Sequence, residues 1–592
     1  MKLFIHSCLM TVILFTLTNS VYAEDSSTIK ITVQDSQIAK LYVAMLDRDV
    51  TEALKQTNAL PEQRKALQRP ELTGAMAYAY AIPSSKWFKS EIVLKQIRSN
   101  IASLIEQKTT TVRTVENDSY LASLRIEPLI NAYVLIAEYL PKEEKNAFRA
   151  FLDENIEFIY SHPVRMQNEK GMTWCAVMAL ASRMNGDNKY QQAAHQAFEW
   201  LRPLIAKSGA YLDPNGISLS RAVSFIRYLF LYRIHAEQEH LDDSIVGCLK
   251  WFSRIYNFRG IPLIIGNQEI RDLNSSGIAQ LIGPVSYYSQ RETEFAQMAT
   301  RYIESLLDSP PGFTLERGSY TFLLGAAYHK KPQALQEMPY EPYFEVYDQS
   351  MLSKYALVGK NYQAAVILQD PGAAKGMQTW SYKGQPPIIF PTTSHFTRTL
   401  GFGYDSKRLN ANDKNQSSSY TVVSATNGID VLFVPSNNIT TTYIFSDDMT
   451  VVIHKQPFED AVIELIKDKV NSAILNSIDV GKLTFSNTDA QLLLPTGIVP
   501  NYEEFDNGER LRVHYKNKYC WYTLAGPKSK SIVRSIESSL IFVHLYENNR
   551  SINLLINPSS EAYTIDSEFP GTKIPIPKMA EWSVQIIKQA KK

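Results

Sequence analysis

The pattern of hydrophobic residues changes once, about three-fifths of the way along the 592-residue chain. From Ile38 to about Ala327, apolar residues recur at helical spacing, and turn residues separate the segments. A polar hinge containing prolines follows at 331–342. From Tyr343 onward, short alternating runs indicate strands. This order predicts an α+β multidomain protein in which a helical part precedes a large antiparallel β part.

The helical part, placed at residues 24–335, contains four clear segments: 126–140, 172–184, 190–205 and 219–237. They are similar in length, and turn residues such as those at 213–216 connect them. Many antiparallel helices joined in this way favour an α/α toroid, an incomplete barrel. A two-layer helical solenoid is the alternative, although no fixed-period repeat is visible.

The second part is predicted as an antiparallel β-sandwich at 343–500, followed by a C-terminal β region at 501–592. That region is either a separate unit or a continuation of the sandwich. The predicted strands are 363–368, 420–423, 428–434, 441–445, 450–454, 474–480, 511–515, 539–545 and 551–556.

The first 23 residues have the pattern of an export signal. Lys2 supplies a positive charge, an apolar run follows at 3–17, and cleavage is expected after Ala23. No later run reaches the length of a membrane helix. We therefore expect a secreted or periplasmic monomer without an integral membrane segment.

Composition narrows the function classes. A net charge of +1 argues against bulk electrostatic binding of nucleic acid. The 33 Tyr, 25 Phe and 7 Trp could stack sugar rings, or they could simply reflect a β-rich chain. Cys175, Cys248 and Cys520 remain after cleavage, and no CxxC spacing occurs. This pattern predicts neither a disulfide framework nor a metal site, and we expect no cofactor.

One polar stretch, 209–221, combines a turn with the start of a helix that continues past residue 228. It carries Tyr211, Asn215, Arg221, Arg227 and Tyr228. At the mouth of a toroid, such a turn would point polar side chains at a bound chain. An ordinary turn followed by a surface helix is the alternative interpretation.

Three other stretches are candidates, and each has a structural alternative. Trp174 is suited to stack on a sugar ring, and Asn168 is suited to form a hydrogen bond with it. The alternative is that Trp174 is a core residue. Arg271 and Asn274 lie in a polar stretch that is otherwise a solvated loop. The remaining candidates are Tyr287 and Tyr288, Trp380, and His395, the last in a turn-rich context where a structural role is the alternative.

These stretches resemble segments of the polysaccharide lyases of the hyaluronate, chondroitin AC and xanthan lyase type. The turn 213–221 is similar to their Asp-Gly-Ser-Phe-x-x-His segment, and 168–174 to their Asn-Trp-Trp segment. Residues 271–276 resemble their Gly-Arg-x-Ile-Ser-Arg loop. The segments from Tyr343 and from Trp380 resemble the entry into their central sandwich.

The chain departs from that pattern at one position in particular. Arg221 stands where those lyases have a catalytic histidine, and their tyrosine falls near Phe230, between Tyr228 and Tyr232. A divergent member of the broader toroid-plus-sandwich lyases, which include heparinase-like enzymes, is therefore expected. In heparinase-like enzymes a toroid tyrosine works with a histidine of the sheet domain, which would give His395 a role.

The resemblance implies cleavage of a uronic-acid polysaccharide by β-elimination. Asn168, Arg221 and Arg271 would neutralise the carboxylate. Tyr228 is the first choice as base and acid, because nearby arginines favour tyrosinate; Tyr287 or Tyr288 is next, and His395 is a possible separate base. The predicted substrate-binding residues are Trp174, Tyr211, Asn215, Arg227, Asn274, Tyr287, Tyr288 and Trp380. The expected partner is an acidic polysaccharide or oligosaccharide.

Two other functions remain open at this point. A toroid glycoside hydrolase would need two carboxylates across the scissile bond, and Asp213, Asp272 and Glu292 are available. A non-catalytic glycan-binding protein is the third possibility. The product separates them, because only a lyase leaves an unsaturated uronate.

Overall fold

The computed structural model describes most of the chain. The described residues are 37–55, 70–106, 117–212, 219–255, 263, 280–289, 295, 298–299, 342–348, 354–369, 376–390, 419–425, 428–436, 439–455, 460–466, 473–505, 510–516, 520–536, 540–565, 567–568 and 575–587. The chain divides into two compact units. The first takes residues 1–204, 221–246 and 274–338, and the second takes 205–220, 247–273 and 339–592.

The first unit is helical throughout its described residues. The helices are α1 Gln37–Lys55, α2 Pro70–Ala81, α3 Glu91–Glu106, α4 Asn117–Ile136, α5 Lys142–Ser161, α6 Glu169–Asn185, α7 Asn188–Leu201, α8 Leu219–His235, α9 Asp242–Ile255 and α10 Ile282–Tyr288. The last residues of α9, from Gly247, belong to the second unit.

Burial alternates along this series of helices. Helices α2 and α6 are buried on nearly every side, whereas α3, α5 and α7 bury one stripe and expose the rest. A helix that is apolar all round lies inside, and an amphipathic helix lies outside. Successive helices therefore alternate between an inner and an outer layer.

The predicted helices are confirmed, and local chemistry explains where they end. Gly186 adopts a φ of 68° and ends α6, and the Asp187 side chain accepts a hydrogen bond from the Lys189 amide at the start of α7. The α7 helix stops at Leu201, earlier than predicted, because Pro203 follows.

One described helical stretch, Ser119–Tyr139, is long and apolar enough by composition to cross a membrane, but 61% of its apolar window is buried inside the protein. This burial is typical of a core helix, and α4 packs among its neighbours as one.

The second unit consists of antiparallel strands. They are β1 Tyr343–Asp348, β2 Lys354–Gly359, β3 Tyr362–Gln369, β4 Gly376–Tyr382, β5 Ile388–Ile389, β6 Thr421–Ala425, β7 Ile429–Ser436, β8 Ile439–Phe445, β9 Met449–Lys455, β10 Asp460–Ile466, β11 Leu475–Asp479, β12 Lys482–Phe485, β13 Gln491–Leu493, β14 Asn501–Phe505, β15 Arg510–Lys516, β16 Cys520–Ala525, β17 Lys530–Ile536, β18 Leu540–Glu547, β19 Arg550–Asn557 and β20 Ser583–Ile586. All nine strands named from the sequence are among them.

These strands form four sheets. The orders are β1-β2-β3-β4-β5, β10-β15-β14, β11-β12-β13-β16-β9-β8-β7-β6 and β17-β18-β19-β20. One face of the eight-stranded sheet packs against the five- and three-stranded sheets, and its other face packs against the four-stranded sheet. The side chains alternate between these two cores because successive strand residues point to opposite faces.

The end of α9 joins this second unit. The Trp251 Nε1–H donates to the Tyr355 hydroxyl at 2.5 Å, and Arg254 pairs with Glu345 of β1. Gly209 lies against the same helix, with a φ of 84°, and a Cβ there would lie 2.3 Å from the Gly247 carbonyl. Both its conformation and its close approach require glycine.

Gly209→Ala is therefore expected to destabilise the protein by about 3 kcal/mol, since it adds overpacking to backbone strain. Gly186→Ala is the matched control. Its φ is also positive, at 68°, but nothing lies within 4 Å of the added Cβ, so only the strain of about 1 kcal/mol remains. Thermal unfolding checks this, and equal losses of melting temperature in the two variants would contradict it.

Candidate active site

Polar side chains of the first unit gather at the first turns of α4, α6 and α8. Asn168 precedes α6, and its side-chain oxygen accepts a hydrogen bond from the Lys170 amide at 3.0 Å. This interaction is a helix N-cap, which explains why an amide residue stands here. The half-buried Asn168 is thus fixed at the positive end of the α6 dipole.

Arg221, in the first turn of α8, reaches the same place. Its Nε lies 4.0 Å from Oε1 of Glu169, and the side chains are 37% and 10% exposed, respectively. The structure therefore brings together the α6 start containing Asn168 and the α8 start containing Arg221. The buried carboxylate holds the guanidinium, while much of the guanidinium remains open to solvent.

A tyrosine that the sequence analysis did not single out completes the group. Tyr120, in the first turn of α4, is half-buried, and the Lys170 Nζ lies 5.3 Å from the centre of its ring. The lysine ammonium therefore makes a cation–π contact with the ring. The neighbouring residues Glu169 and Lys170 of α6 thus contact Arg221 and Tyr120, respectively. We call these four residues the helix-start cluster.

A buried ion pair lies further along α4. Arg227 Nη2 donates to Glu127 Oε2 at 2.8 Å, and Asn131 Nδ2 donates to Glu127 Oε1 at 2.9 Å. The Glu127 and Arg227 side chains are 1% and 5% exposed. Such a pair is stable only because both charges are matched and hydrogen-bonded. It fixes α8 to α4 below the helix-start cluster.

The sequence does contain a signal for the residues that were missed. Tyr120, Glu127 and Asn131 are seven and four residues apart, so they lie on one face of α4. A polar stripe within an otherwise apolar helix indicates a lined interior or a buried network. Lys170 has no such signal, because its role depends on a ring from another helix.

The structure differs from the predicted role of Tyr228. Its side chain is 2% exposed, and the Arg227 guanidinium lies 4.8 Å from the centre of its ring. Burial raises the pKa of Tyr228 well above its usual value, and the positive charge of Arg227 only partly opposes this. From the sequence, the positive charge was expected to favour tyrosinate, but desolvation is the larger effect and acts in the opposite direction. In this structure Tyr228 is a core residue.

Several predicted sugar-binding residues are also core residues. Trp174 is 4% exposed, and its Nε1–H donates to the Ile159 carbonyl at 2.9 Å. Trp380 is fully buried between Tyr362 and Tyr382, with ring centroids 4.8 and 5.9 Å away. Arg227 and Tyr211 are buried as well. These side chains offer no surface for a sugar to stack on, because the fold has already covered it.

The two adjacent tyrosines of α10 pack against a second, partly buried ion pair. Tyr288 donates its hydroxyl hydrogen to Asp242 at 2.7 Å, and Asp242 also accepts from Arg233 Nε at 2.6 Å. Burial raises the pKa of Tyr288, and the Asp242 carboxylate raises it further. Tyr287 is half-buried, with Arg233 5.4 Å from the centre of its ring. Tyr288 is therefore held neutral.

Four predicted site residues lie outside the described residues: Asn215, Arg271, Asn274 and His395. The carboxylates named for hydrolysis, Asp213, Asp272 and Glu292, do so too. Within the described part of the chain, no three His, Cys, Asp or Glu side chains are placed to hold a metal ion. Cys175 and Cys248 are buried free thiols, and burial raises the pKa of both.

Comparison with solved structures identifies the fold. Heparinase III aligns with a TM-score of 0.53 over 91% of this chain and 94% of its own, at 11% identity. Chondroitinase AC lyase aligns with a TM-score of 0.54 over 93% of this chain and 92% of its own, also at 11% identity. A Paenibacillus xanthan lyase gives 0.55 at 10% identity over 89% of this chain, which spans 61% of that lyase.

The chain has the polysaccharide lyase fold. The predicted resemblance and the predicted α/α toroid followed by an antiparallel β-sandwich are thereby confirmed. The likeness is one of structure alone. No protein-family model matches the sequence, and no curated protein matches it either. At about 10% identity the neighbours establish the fold, so the chemistry must be argued from the residues of this chain.

Proposed function

We propose that this protein is a polysaccharide lyase that cleaves a uronic-acid-containing chain by β-elimination. The observation that carries the proposal is the helix-start cluster, which joins a tyrosine, a lysine and an arginine in the helical unit of a fold shared with three lyases. Elimination needs a neutralised carboxylate, a base for the α-proton and an acid for the leaving oxygen. The cluster contains a group for each task.

Arg221 is the proposed carboxylate ligand. A guanidinium matches a carboxylate through two parallel hydrogen bonds. The positive ends of the α6 and α8 dipoles add to the attraction for an anion. Asn168 would contribute its side-chain amide, and Arg271 is retained as a further predicted ligand. Withdrawing charge from the carboxylate makes the α-proton of the uronate more acidic.

Tyr120 is the proposed base and acid. As a phenolate beside Lys170, it would take the α-proton; as a phenol, it would then donate that proton to the leaving glycosidic oxygen. A single tyrosine can perform both steps because the two positions lie on adjacent atoms of the sugar. His395 is retained as the predicted alternative base from the β part.

The reaction is tested by ultraviolet absorbance of the purified protein mixed with hyaluronan, chondroitin sulfate, heparan sulfate, alginate, xanthan and ulvan. We expect absorbance to rise with at least one of them, because elimination leaves a conjugated unsaturated uronate. New reducing ends without absorbance would instead indicate hydrolysis and would direct attention to Asp213, Asp272 and Glu292. Neither signal would favour a glycan-binding protein.

We further propose that the protein is exported, with cleavage after Ala23. The support is the charged start, the apolar run, and Val21 and Ala23 at the two positions where a cleavage site needs small residues. Mass spectrometry of the mature N-terminus from a secreting host tests this proposal.

A further inference from the structure

The four-stranded sheet of β17 to β20 has two different faces. Its inner face packs Val543, Leu545 and Leu554 against the eight-stranded sheet. On the outer face, Tyr563, Ile576 and Met579 cover Leu540 and Leu555. That cover reaches only part of the face. The remainder lies on the first residues of β17, the end of β18 and the start of β19.

The strand register defines this uncovered remainder. Lys530 is opposite Tyr546, which is opposite Ser551; Ile532 is opposite His544, which is opposite Asn553. Directly opposed residues of antiparallel strands share a face, so these six side chains and Arg534 lie on one side of the sheet, which we call the C-terminal face. Of these residues, Asn553 is buried, at 8% exposure. Tyr546 is 41% exposed and Ile532 is 42% exposed.

The charged side chains on the C-terminal face, Lys530 and Arg534, are both positive. Lys530 and Arg534 are exposed, and neither forms an ion pair with a described carboxylate. Within the described residues of β17 to β20, the one acidic side chain, Glu547, points to the opposite side of the sheet and is 2% exposed. Two exposed cations on a face where the described residues of these strands place no acidic side chain favour an anionic ligand.

Hydrogen bonds hold the side chains on the strands beside these cations. His544 Nδ1 lies 2.6 Å from Asn553 Oδ1, so the imidazole orientation is fixed by its neighbour on the next strand. Tyr546 donates its hydroxyl hydrogen to Asn549 at 3.4 Å. The aromatic ring and the imidazole therefore lie on a rigid sheet, and little side-chain entropy is lost when a ligand binds.

The distance between Lys530 and Arg534 favours an oligosaccharide or polysaccharide over a single sugar as the ligand. Lys530 and Arg534 are four residues apart on one strand, which places them about 13 Å apart. A ligand that reaches both must carry at least two anionic groups. The exposed Ile532 between them and the exposed Tyr546 opposite Lys530 suit the apolar face of a pyranose ring.

We propose that the C-terminal face is a second binding site for acidic polysaccharide, separate from the helix-start cluster. The choice of ligand rests on the proposed function, whereas the site rests on the geometry of the sheet. Lys530 and Arg534 bind two acidic groups of one chain, and Tyr546 stacks on the sugar beside Lys530. The face holds the polymer on the enzyme between cleavage events.

Affinity electrophoresis tests this site without requiring turnover. The double variant Lys530→Ala/Arg534→Ala and the single variant Tyr546→Ala are run in gels containing chondroitin sulfate, heparan sulfate, alginate or xanthan, and in neutral dextran. Lys142→Ala/Lys207→Ala removes the same charge from other exposed positions. Tyr502→Ala removes another exposed tyrosine, one that is 58% exposed.

We expect at least one acidic gel to retard the wild type and both controls, and dextran to retard none. The double variant and Tyr546→Ala should each require about tenfold more polymer for the same retardation, the loss expected for one charged or stacking contact. Retardation equal to wild type in both variants, or an unretarded wild type, overturns the proposal.

The absorbance assay on a short oligosaccharide distinguishes failure of this binding site from failure of the proposed lyase activity. The C-terminal variants should cleave the oligosaccharide at the wild-type rate and the polymer with a raised KM. If no substrate gives an unsaturated product but the variants still lose retardation, the lyase proposal fails and the binding site stands.

Discussion

Tyr120→Phe is expected to lower kcat by at least about a hundredfold while leaving KM nearly unchanged. The substitution removes the hydroxyl that transfers the proton but keeps the ring that packs under Lys170, and positioned acid–base groups contribute about 10²–10⁴ in rate. Single-turnover and steady-state kinetics on the substrate found by absorbance measure this effect. A Tyr120→Phe enzyme with more than a tenth of wild-type kcat would rule out the assignment.

Tyr228→Phe is the matched comparison, since it removes the other tyrosine hydroxyl near this cluster. The sequence pattern predicts that this variant is the inactive one, whereas its burial predicts that turnover survives. Lys170→Ala gives an independent readout. Because a positive charge favours tyrosinate, its removal should move the pH optimum upward. An unchanged pH profile would show that Lys170 does not act on the base.

Arg227→Met is expected to destabilise the helical unit by about 3–5 kcal/mol, because it leaves the buried Glu127 carboxylate without its partner. Glu127→Gln/Arg227→Met should recover part of that loss, since no uncompensated charge remains. Thermal unfolding followed by circular dichroism measures both variants. Arg98→Ala, which breaks an ion pair with Glu144 at the surface, should leave the melting temperature close to wild type.

Equal melting temperatures for Arg227→Met and Arg98→Ala would contradict this account of the Glu127–Arg227 pair. The Glu127→Gln/Arg227→Met variant also distinguishes a role of the pair in stability from a role in catalysis. If it only fixes α8 to α4, the double variant should keep its KM and lose heat resistance. A change in the pH profile of the double variant would instead place the pair in the proton-transfer pathway.

The fold was readable from the sequence because its signals are local. The change from helical to alternating spacing near Tyr343 appears in the structure as the start of β1, and the Asn185-Gly186-Asp187 break appears as the end of α6 and the start of α7. Boundaries were less accurate. The α4 helix begins at Asn117, nine residues before its predicted start, because Pro128 is accommodated within the helix.

The candidate site was only partly readable. Asn168 and Arg221 were chosen for their chemistry. In the structure, the ion pair between Glu169 and Arg221 joins the first turns of α6 and α8, next to Asn168. Tyr228, Trp174 and Trp380 were chosen by the same reasoning and are buried. Residue type and spacing along a helix do not predict how far other elements of the fold bury a side chain.

The sequence by itself determined the order of helices and strands, the breaks between them and the two-part organisation, because periodicity and turn chemistry act over a few residues. Only the tertiary structure decided which polar residues meet. Tyr120, Lys170 and Arg221 lie on three helices and come together through packing. The same packing leaves Tyr120 half-buried but buries Tyr228, and this burial raises the pKa of Tyr228.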